Sequence, residues 1–193
     1  MHRNSGRIEN FNQRNSRLVN ENVYSILPDK DSTFLLGTLS ALVHFNPEQR
    51  SFTTISRESN GTSVTFQKIT TLFRDSQKRL WVGSEEGISV CRQHGTEIER
   101  IPLLPASTIT KSFINYIYEA ANGLIWVGTR EGAYCFNEKN KQIKRYTTAN
   151  GLPNNVVYGI LEDSYGRLWM STNQGVSCFN PSTDKFRNFT EAD

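Results

Sequence analysis

Short apolar runs separated by turn residues recur along the whole chain. Three of the runs contain consecutive apolar residues: Leu80-Trp81-Val82, Ile125-Trp126-Val127 and Leu168-Trp169-Met170. A strand with one solvated face would alternate apolar and polar side chains, so these runs predict strands covered on both faces. Bounding residues such as Asp, Gly, Asn and Pro are typical of strands joined by tight turns, and no segment shows a sustained helical period.

The same pattern repeats at nearly constant spacing. Trp81, Trp126 and Trp169 lie 45 and 43 residues apart, and Leu35 takes the equivalent position 46 residues before Trp81. We predict that these four residues form the structural core of the repeated units. Glycines mark two further positions in most copies: Gly37, Gly83 and Gly128, with Ser171 in the last copy, then Gly87, Gly132 and Gly175, with Ala41 in the first.

An apolar pair and an acidic turn precede each of these anchors. The pairs are Val23 and Ile26, Ile69 and Leu72, Ile114 and Ile117, and Val157 and Ile160. The turn carries Asp29, Asp75 and Asp163, with Ala120 in the third copy. Each unit is therefore predicted to contain four short strands, and four-stranded units repeating about every 40 to 50 residues are typical of β-propeller blades. Stacking of neighbouring blades buries both apolar faces of each sheet.

The predicted fold is all-β, a propeller of antiparallel four-stranded blades with four blades present. The predicted boundaries are 1–18 for the outer strand of a preceding blade plus a linker, then 19–62, 63–108, 109–150 and 151–193 for blades 1 to 4. Four blades can close a ring. Residues 7–12, however, resemble the closing strand at 186–190, which favours an arc of a larger propeller. An open arc leaves blade faces uncovered, so we expect homodimers or other self-association through them.

Composition and charge narrow the classes of partner and chemistry. The net charge of +3 is too balanced to indicate a nucleic-acid partner. No apolar stretch approaches the roughly 18 residues of a membrane helix, and the N-terminus lacks a signal-peptide pattern, so this segment is expected not to contact a membrane. The three cysteines are predicted to be free and the three histidines lack metal-ligand spacing. We expect no catalytic residue, no metal and no cofactor.

Surface turns are where the copies differ. The residues between the second and third strands of each unit change in every copy, while the surrounding frame repeats. Recognition is often carried by variable loops on a constant scaffold, although unconstrained drift explains the same variation. The candidate ligand-binding residues lie in these turns, which are predicted to share one face of the propeller. They are Glu85, Glu86, Arg130, Glu131, Asn173 and Gln174.

The fourth copy, GLPNNVVYGILEDSYGRLWMSTNQGVSCFNP from Gly151 to Pro181, closely resembles the two-component regulator propeller repeat. It follows the family pattern of a Gly-Leu-Pro start, an Asp-x-x-Gly-x-Leu-Trp segment and a later Gly, and departs at Met170 and Ser171. The copies around Trp81 and Trp126 match over the Trp core, whereas the first copy is degenerate. The resemblance covers about residues 19–190.

This resemblance implies a function as well as a fold. Such repeats build paired seven-bladed propellers in the periplasmic sensor region of bacterial hybrid two-component systems, which respond to oligosaccharides. It therefore implies a non-catalytic signal-input module with an oligosaccharide ligand, and histidine kinase activity elsewhere in a full-length parent. Two alternatives stay open: a propeller enzyme resembling the streptogramin-lyase group, and a general protein-interaction scaffold.

Overall fold

A computed structural model of the chain describes residues 8–102, 109 and 112–190. These residues form four sheets, each with four antiparallel strands in sequence order from the innermost to the outermost, and one sheet has a fifth strand at its outer edge. The predicted all-β propeller architecture with four blades is confirmed. Among the described residues, no helix has the length and apolar character that a membrane span requires.

The strands of each blade follow one another without crossing. Blade 1 contains β1 (Val23–Pro28), β2 (Phe34–Thr38), β3 (Leu42–Asn46) and β4 (Ser51–Thr54). Blade 2 receives β5 (Arg57–Glu58) and contains β6 (Ile69–Arg74), β7 (Leu80–Ser84), β8 (Gly87–His94) and β9 (Glu97–Arg100). Blade 3 contains β10 (Ile114–Glu119), β11 (Ile125–Thr129), β12 (Gly132–Asn137) and β13 (Gln142–Tyr146). Blade 4 contains β14 (Val157–Glu162), β15 (Leu168–Thr172), β16 (Gly175–Asn180) and β17 (Lys185–Phe189).

The strand β5 departs from the predicted boundaries. It lies within the range 19–62 assigned to blade 1, yet it pairs in parallel with β9 at the outer edge of blade 2. Ser59 donates its backbone N–H to the carbonyl of Ile98, and Arg100 forms an ion pair with Glu58 at 3.1 Å. The chain leaving blade 1 is thereby fixed to the outer edge of the next blade.

The innermost strands pack in chain order around a common axis. β1 packs on β6, β6 on β10 and β10 on β14, and no comparable packing joins β1 to β14 among the described residues. Three apolar cores fill the spaces between successive blades. No further blade of the described chain covers the two end faces: Leu161 on blade 4 is 64% exposed, and Ile26 on blade 1 is 63% exposed although Phe11 and Leu18 cover part of that face. The four blades therefore form an arc.

The first repeated glycine allows the blades to approach each other closely. A Cβ atom on Gly37 would lie 2.5 Å from Cγ2 of Ile69 in the next blade, and one on Gly83 would lie 2.7 Å from Cγ2 of Ile114. No side chain fits in that space without displacing the neighbouring blade. In blade 4 the equivalent Ser171 is exposed, because no further blade of this chain packs against it.

The predicted core residues differ in how deeply they are buried. Leu35, Trp81 and Trp126 are fully buried between blades. Trp169 is only half-buried, because it lies on the open face of blade 4, where it stacks on Phe189 at a ring distance of 5.6 Å. Coverage on both faces therefore holds for the inner blades and fails for the outer face of the last one.

The N-terminal segment differs from the predicted outer strand of a preceding blade. Residues 8–12 form no strand, and residue 7 lies outside the described part of the chain. The side chain of Asn12 instead accepts the backbone N–H of Arg14 at 2.9 Å and begins a turn. Phe11 and Leu18 flank this turn and pack on the outer face of blade 1.

The repeated Asp of the acidic turn has a specific structural role in blades 2 and 4. Asp75 accepts hydrogen bonds from Nε1 of Trp81 at 2.7 Å and from Nε of Arg79 at 2.6 Å. Asp163 makes the same contacts with the indole of Trp169 and with the guanidinium of Arg167, both at 2.8 Å. The carboxylate thus satisfies the polar atom of an otherwise apolar side chain.

Blade 3 lacks this arrangement. Ala120 stands where the other copies have Asp, and Nε1 of Trp126 is a buried polar atom without a hydrogen-bond partner among the described residues. A buried donor without an acceptor carries a desolvation cost, so this indole contributes less than its area implies.

The first prediction compares two tryptophans that are equally buried. Trp81→Phe removes an N–H that Asp75 accepts, whereas Trp126→Phe removes an N–H that has no partner. We expect Trp81→Phe to lower the free energy of unfolding by about 1 to 2 kcal/mol more than Trp126→Phe, measured by urea denaturation. Equal losses in the two variants would contradict the role assigned to the carboxylate.

The second prediction concerns acid stability. The hydrogen bond from Trp169 is the main reason that the pKa of Asp163 falls from its ordinary 3.8 to about 2. The ionised carboxylate therefore stabilises the fold above pH 3.8, and this stabilisation is lost as the pH falls toward about 2. Over that window the unfolding temperature should fall more steeply in the wild-type chain than in Asp163→Asn. Parallel slopes in calorimetric scans would refute the assignment.

The third prediction follows from the open face of blade 4 and the partly covered face of blade 1. We expect the chain to self-associate as its concentration rises, with an increase in mass detected by light scattering. Leu161→Lys places a charge on the open face of blade 4 and should reduce this association. Asn140→Lys adds the same charge to an exposed turn of blade 3 and should leave it unchanged. A monomer at high concentration in the wild-type chain would contradict the prediction.

Candidate functional site

A β-bulge occurs at the same point of every innermost strand. The register shifts between Val23 and Ser25 in blade 1, and at the equivalent points of the other three blades. A bulge places two residues opposite one and turns the extra side chain away from the regular ladder. The four bulged residues are Tyr24, Thr70, Asn115 and Tyr158.

All four bulged side chains line one cavity, here called the axial cavity. It measures about 360 Å³, which is within the range of small-molecule sites. Every blade contributes to its wall, so the cavity exists only when the four sheets are stacked. Its lining consists of Tyr24, Leu39, Lys68, Thr70, Glu85, Phe113, Asn115, Arg130 and Tyr158.

The turns beside this cavity are held by one repeated hydrogen bond. The hydroxyl of Thr129 donates to the carbonyl of Gly132 at 2.9 Å, and Thr38, Ser84 and Thr172 make the same contact in their own blades. The frame of each turn is therefore fixed by one hydroxyl. The two residues inside each turn vary without disturbing that frame, which explains how the copies differ while the blade persists.

The bulged residues of the two middle blades are used for blade packing. Thr70 donates its hydroxyl to the carbonyl of Ile114, and Nδ2 of Asn115 donates to the carbonyl of Val157 at 2.9 Å. These contacts join the inner strand of one blade to that of the next. Because its amide is held in this way, Asn115 presents a fixed polar group to the axial cavity.

The bulged tyrosines at the two ends of the arc are more accessible. Tyr24 is 56% exposed and Tyr158 is 52% exposed. The hydroxyl of Tyr158 donates to Oδ1 of Asn173 at 2.9 Å, which orients the ring. The axial cavity thus has an aromatic side chain at each end and polar groups between them.

Charged groups complete the wall of the axial cavity. Lys68 forms an ion pair with Glu85 at 2.5 Å, and the hydrogen bond to this carboxylate is the main cause of the raised pKa of Lys68. The guanidinium of Arg130 lies over the ring of Phe113 at 3.8 Å. A cation over an aromatic face is held in place by the charge distribution of the ring. The wall therefore offers both a hydrogen-bond acceptor and cationic donors.

The structure places the predicted ligand-binding residues at different distances from this cavity. Glu85 and Arg130 line it, and Asn173 contacts the lining through Tyr158. The other predicted residues are outside the lining: Glu86, Glu131 and Gln174. Glu131 instead lies 3.6 Å from the guanidinium of Arg145 on β13. The turns between the second and third strands of each blade therefore do not define the cavity alone.

Sequence reasoning missed the bulged residues and Lys68, Phe113 and Leu39. The signal was present, because Tyr24, Thr70, Asn115 and Tyr158 each directly follow the first apolar residue of the predicted inner strand. A polar or aromatic residue at that point of all four copies indicates a surface shared by the four blades. No group of three or more potential ligands among the described residues could hold a metal ion.

Comparison with known proteins identifies the repeats. The family described as two-component regulator propeller matches residues 63–86, 108–131 and 151–174. Histidine kinase P4 of Formosa agariphila is 29% identical over 163 residues, which cover 81% of this chain and 12% of that kinase. The chain therefore spans only a small part of this curated relative.

Solved structures share the fold at lower identity. The extracellular domain of a hybrid two-component system from B. thetaiotaomicron is 18% identical, with a TM-score of 0.77 over 96% of this chain and 26% of that one. Virginiamycin B lyase from Staphylococcus aureus is 17% identical, with a TM-score of 0.56 over 88% of this chain and 55% of the lyase. Blades 2, 3 and 4 of this chain each contain a segment that matches the two-component regulator propeller family, and the chain shares the β-propeller fold of these solved structures.

Proposed function

We propose that this chain is a non-catalytic, ligand-sensing part of the periplasmic sensor region of a hybrid two-component histidine kinase. The matched repeats and the similarity to a histidine kinase support a role in signal input. The similar fold belongs to an extracellular domain of another protein, and this supports a periplasmic location for the present segment. In this proposal the arc is part of a larger, seven-bladed ring, and the kinase activity resides elsewhere in the parent protein.

The proposed ligand is an oligosaccharide bound in the axial cavity. The observation that carries this proposal is the row of bulged residues, with Tyr24 and Tyr158 exposed at its two ends. Sugar rings present C–H faces that pack on aromatic side chains and hydroxyls that exchange hydrogen bonds with amide, carboxylate and guanidinium groups. Asn115, Glu85 and Arg130 supply these groups between the tyrosines.

A propeller lyase is the second candidate, favoured by the fold shared with virginiamycin B lyase. Lyase chemistry would require a group that removes a proton at the cavity, and Glu85 is the carboxylate that lines it. This carboxylate is paired with Lys68, whose ammonium group donates a hydrogen bond to it. That pairing suits recognition of a hydroxyl better than proton transfer, so binding is the preferred function.

The fourth prediction tests the oligosaccharide site. Titration of the chain with a panel of oligosaccharides, followed by calorimetry, should give saturable heat for at least one glycan. Tyr24→Ala and Tyr158→Ala should each weaken this binding by roughly tenfold or more, because each removes an aromatic contact surface. Tyr165→Ala is the matched control, since Tyr165 is exposed and outside the axial cavity.

The same experiment separates the alternatives. Silence across the panel, or equal affinity in Tyr158→Ala and Tyr165→Ala, would overturn the proposed sugar site. Product formation that Glu85→Gln abolishes would favour the lyase. Capture of a purified partner protein that Tyr158→Ala leaves intact, with no heat from any glycan, would favour the protein-interaction scaffold.

A further inference from the structure

A second cavity lies between blades 1 and 2, at the end of β1 opposite the axial cavity. It measures about 500 Å³ and shares no lining residue with the axial cavity. Its wall is formed by the acidic turn after β1, by β3, by the end of β6 and by the end of β8. The residues that carry the argument are Asp29, Thr33, His44, Arg74 and Gln93.

The departure of blade 1 from the repeat explains why a polar group is available here. In blades 2 and 4 the turn carboxylate is occupied by a Trp indole and an Arg of its own blade. Blade 1 has Leu35 at the Trp position and Thr33 at the Arg position, so neither contact can form. Asp29 is well buried, with its side chain 9% exposed, and it requires other donors.

The donors that bond Asp29 belong to the next blade. Its Oδ1 accepts from Nη2 of Arg74 at 3.0 Å, and its Oδ2 accepts from Nε2 of Gln93 at 2.7 Å. The Oε1 atom of Gln93 in turn accepts from Nη2 of Arg74 at 2.8 Å. These three side chains form a closed network that holds the guanidinium in one orientation at the cavity wall.

The network leaves part of the guanidinium available. Both hydrogens of Nη2 are donated within the network, and Nη1 donates one hydrogen to the carbonyl of Lys78 at 3.4 Å. Nε and the second Nη1 hydrogen of Arg74 have no acceptor among the described residues. A positioned guanidinium with free donors recognises oxyanions more strongly than a mobile one does.

The remaining charges in this cavity also favour an anion. Lys30, Lys78 and Arg92 line it together with Arg74, against Asp29 and Asp31. Arg92 is partly neutralised by Glu99 at 3.6 Å, whereas Lys30 and Lys78 lie on the turns that border the cavity. A concave surface with an excess of one charge concentrates ligands of the opposite charge.

Hydroxyl, imidazole and amide side chains also line this cavity. Nε2 of His44 lies 3.1 Å from the hydroxyl of Thr33, and Asn46 and Gln77 add amide groups to the lining. Hydroxyl, imidazole and amide groups donate and accept hydrogen bonds in the manner that a hydroxylated molecule requires.

We propose that the cavity between blades 1 and 2 binds a small hydroxylated anion, such as an acidic sugar unit. Arg74 bonds the carboxylate or sulfate group, Lys30 and Lys78 attract it, and His44 and Thr33 contact the hydroxyls. The proposal does not depend on the axial cavity, because the two linings are separate.

The fifth prediction uses nuclear magnetic resonance titrations of the ¹⁵N-labelled chain with three probes: glucuronate, glucose and inorganic sulfate. Glucuronate should produce saturable shifts of the Gln93 side-chain amide, sulfate should bind more weakly, and glucose should give no shift. Arg74→Gln should weaken glucuronate binding by roughly tenfold or more, because it removes a charge-assisted hydrogen bond. The spectrum of each variant also reports whether it is folded.

Three further variants keep the test decisive. Lys30→Gln combined with Lys78→Gln leaves the network intact and should weaken binding several-fold, so it decides the outcome if Arg74→Gln does not fold. Lys139→Gln removes one positive charge from an exposed turn of blade 3, and Tyr158→Ala alters only the axial cavity; neither should change glucuronate affinity.

Absence of saturable shifts, equal binding of glucose, or unchanged affinity in folded Arg74→Gln would overturn the proposal. Sulfate binding as tight as glucuronate binding would overturn recognition of the hydroxyls.

Discussion

Close contact between the inner strands of successive blades is the constraint on which the rest of the structure depends. Gly37 and Gly83 bring the second strand of one blade against Ile69 and Ile114 of the next, at distances that no Cβ would permit. The apolar cores between the blades form because this gap is closed. The axial cavity forms for the same reason, since its wall combines residues of all four sheets.

The acidic-turn position has the same place in every blade, but its residue makes different hydrogen bonds from one blade to another. The carboxylates of Asp75 and Asp163 satisfy a tryptophan of their own blade, Ala120 leaves Trp126 without an acceptor, and Asp29 bonds side chains of the neighbouring blade. Blade 1 has Leu35 at the Trp position and Thr33 at the Arg position, so Asp29 has neither of the donors that its equivalents bond. Degenerate copies of a repeat are therefore informative, because a residue released from a structural role becomes available for another.

The sequence predicted the blades because their signal is local, whereas the binding surfaces depend on register and on neighbours. The spacing of Trp81, Trp126 and Trp169 gave the repeat directly. The bulges that turn Tyr24 and Tyr158 into the axial cavity are a property of pairing between two strands, so no single run of residues reveals them. The half-exposure of Trp169 likewise depends on whether a further blade packs on it. Lys68 and Phe113 lie just before the inner strands, in segments that carried no repeated marker.

The short strand β5 has a consequence for the rim of the propeller. Outer strands of a blade present unpaired backbone groups, which can template pairing with another chain. In blade 2 the parallel strand β5 occupies part of that edge, and the ion pair between Glu58 and Arg100 holds it there. Blades 1, 3 and 4 end in β4, β13 and β17, each without a further strand in its described sheet. Strand addition at the periphery is therefore disfavoured at blade 2, and this asymmetry directs any fibrillar or swapped assembly toward the other edges.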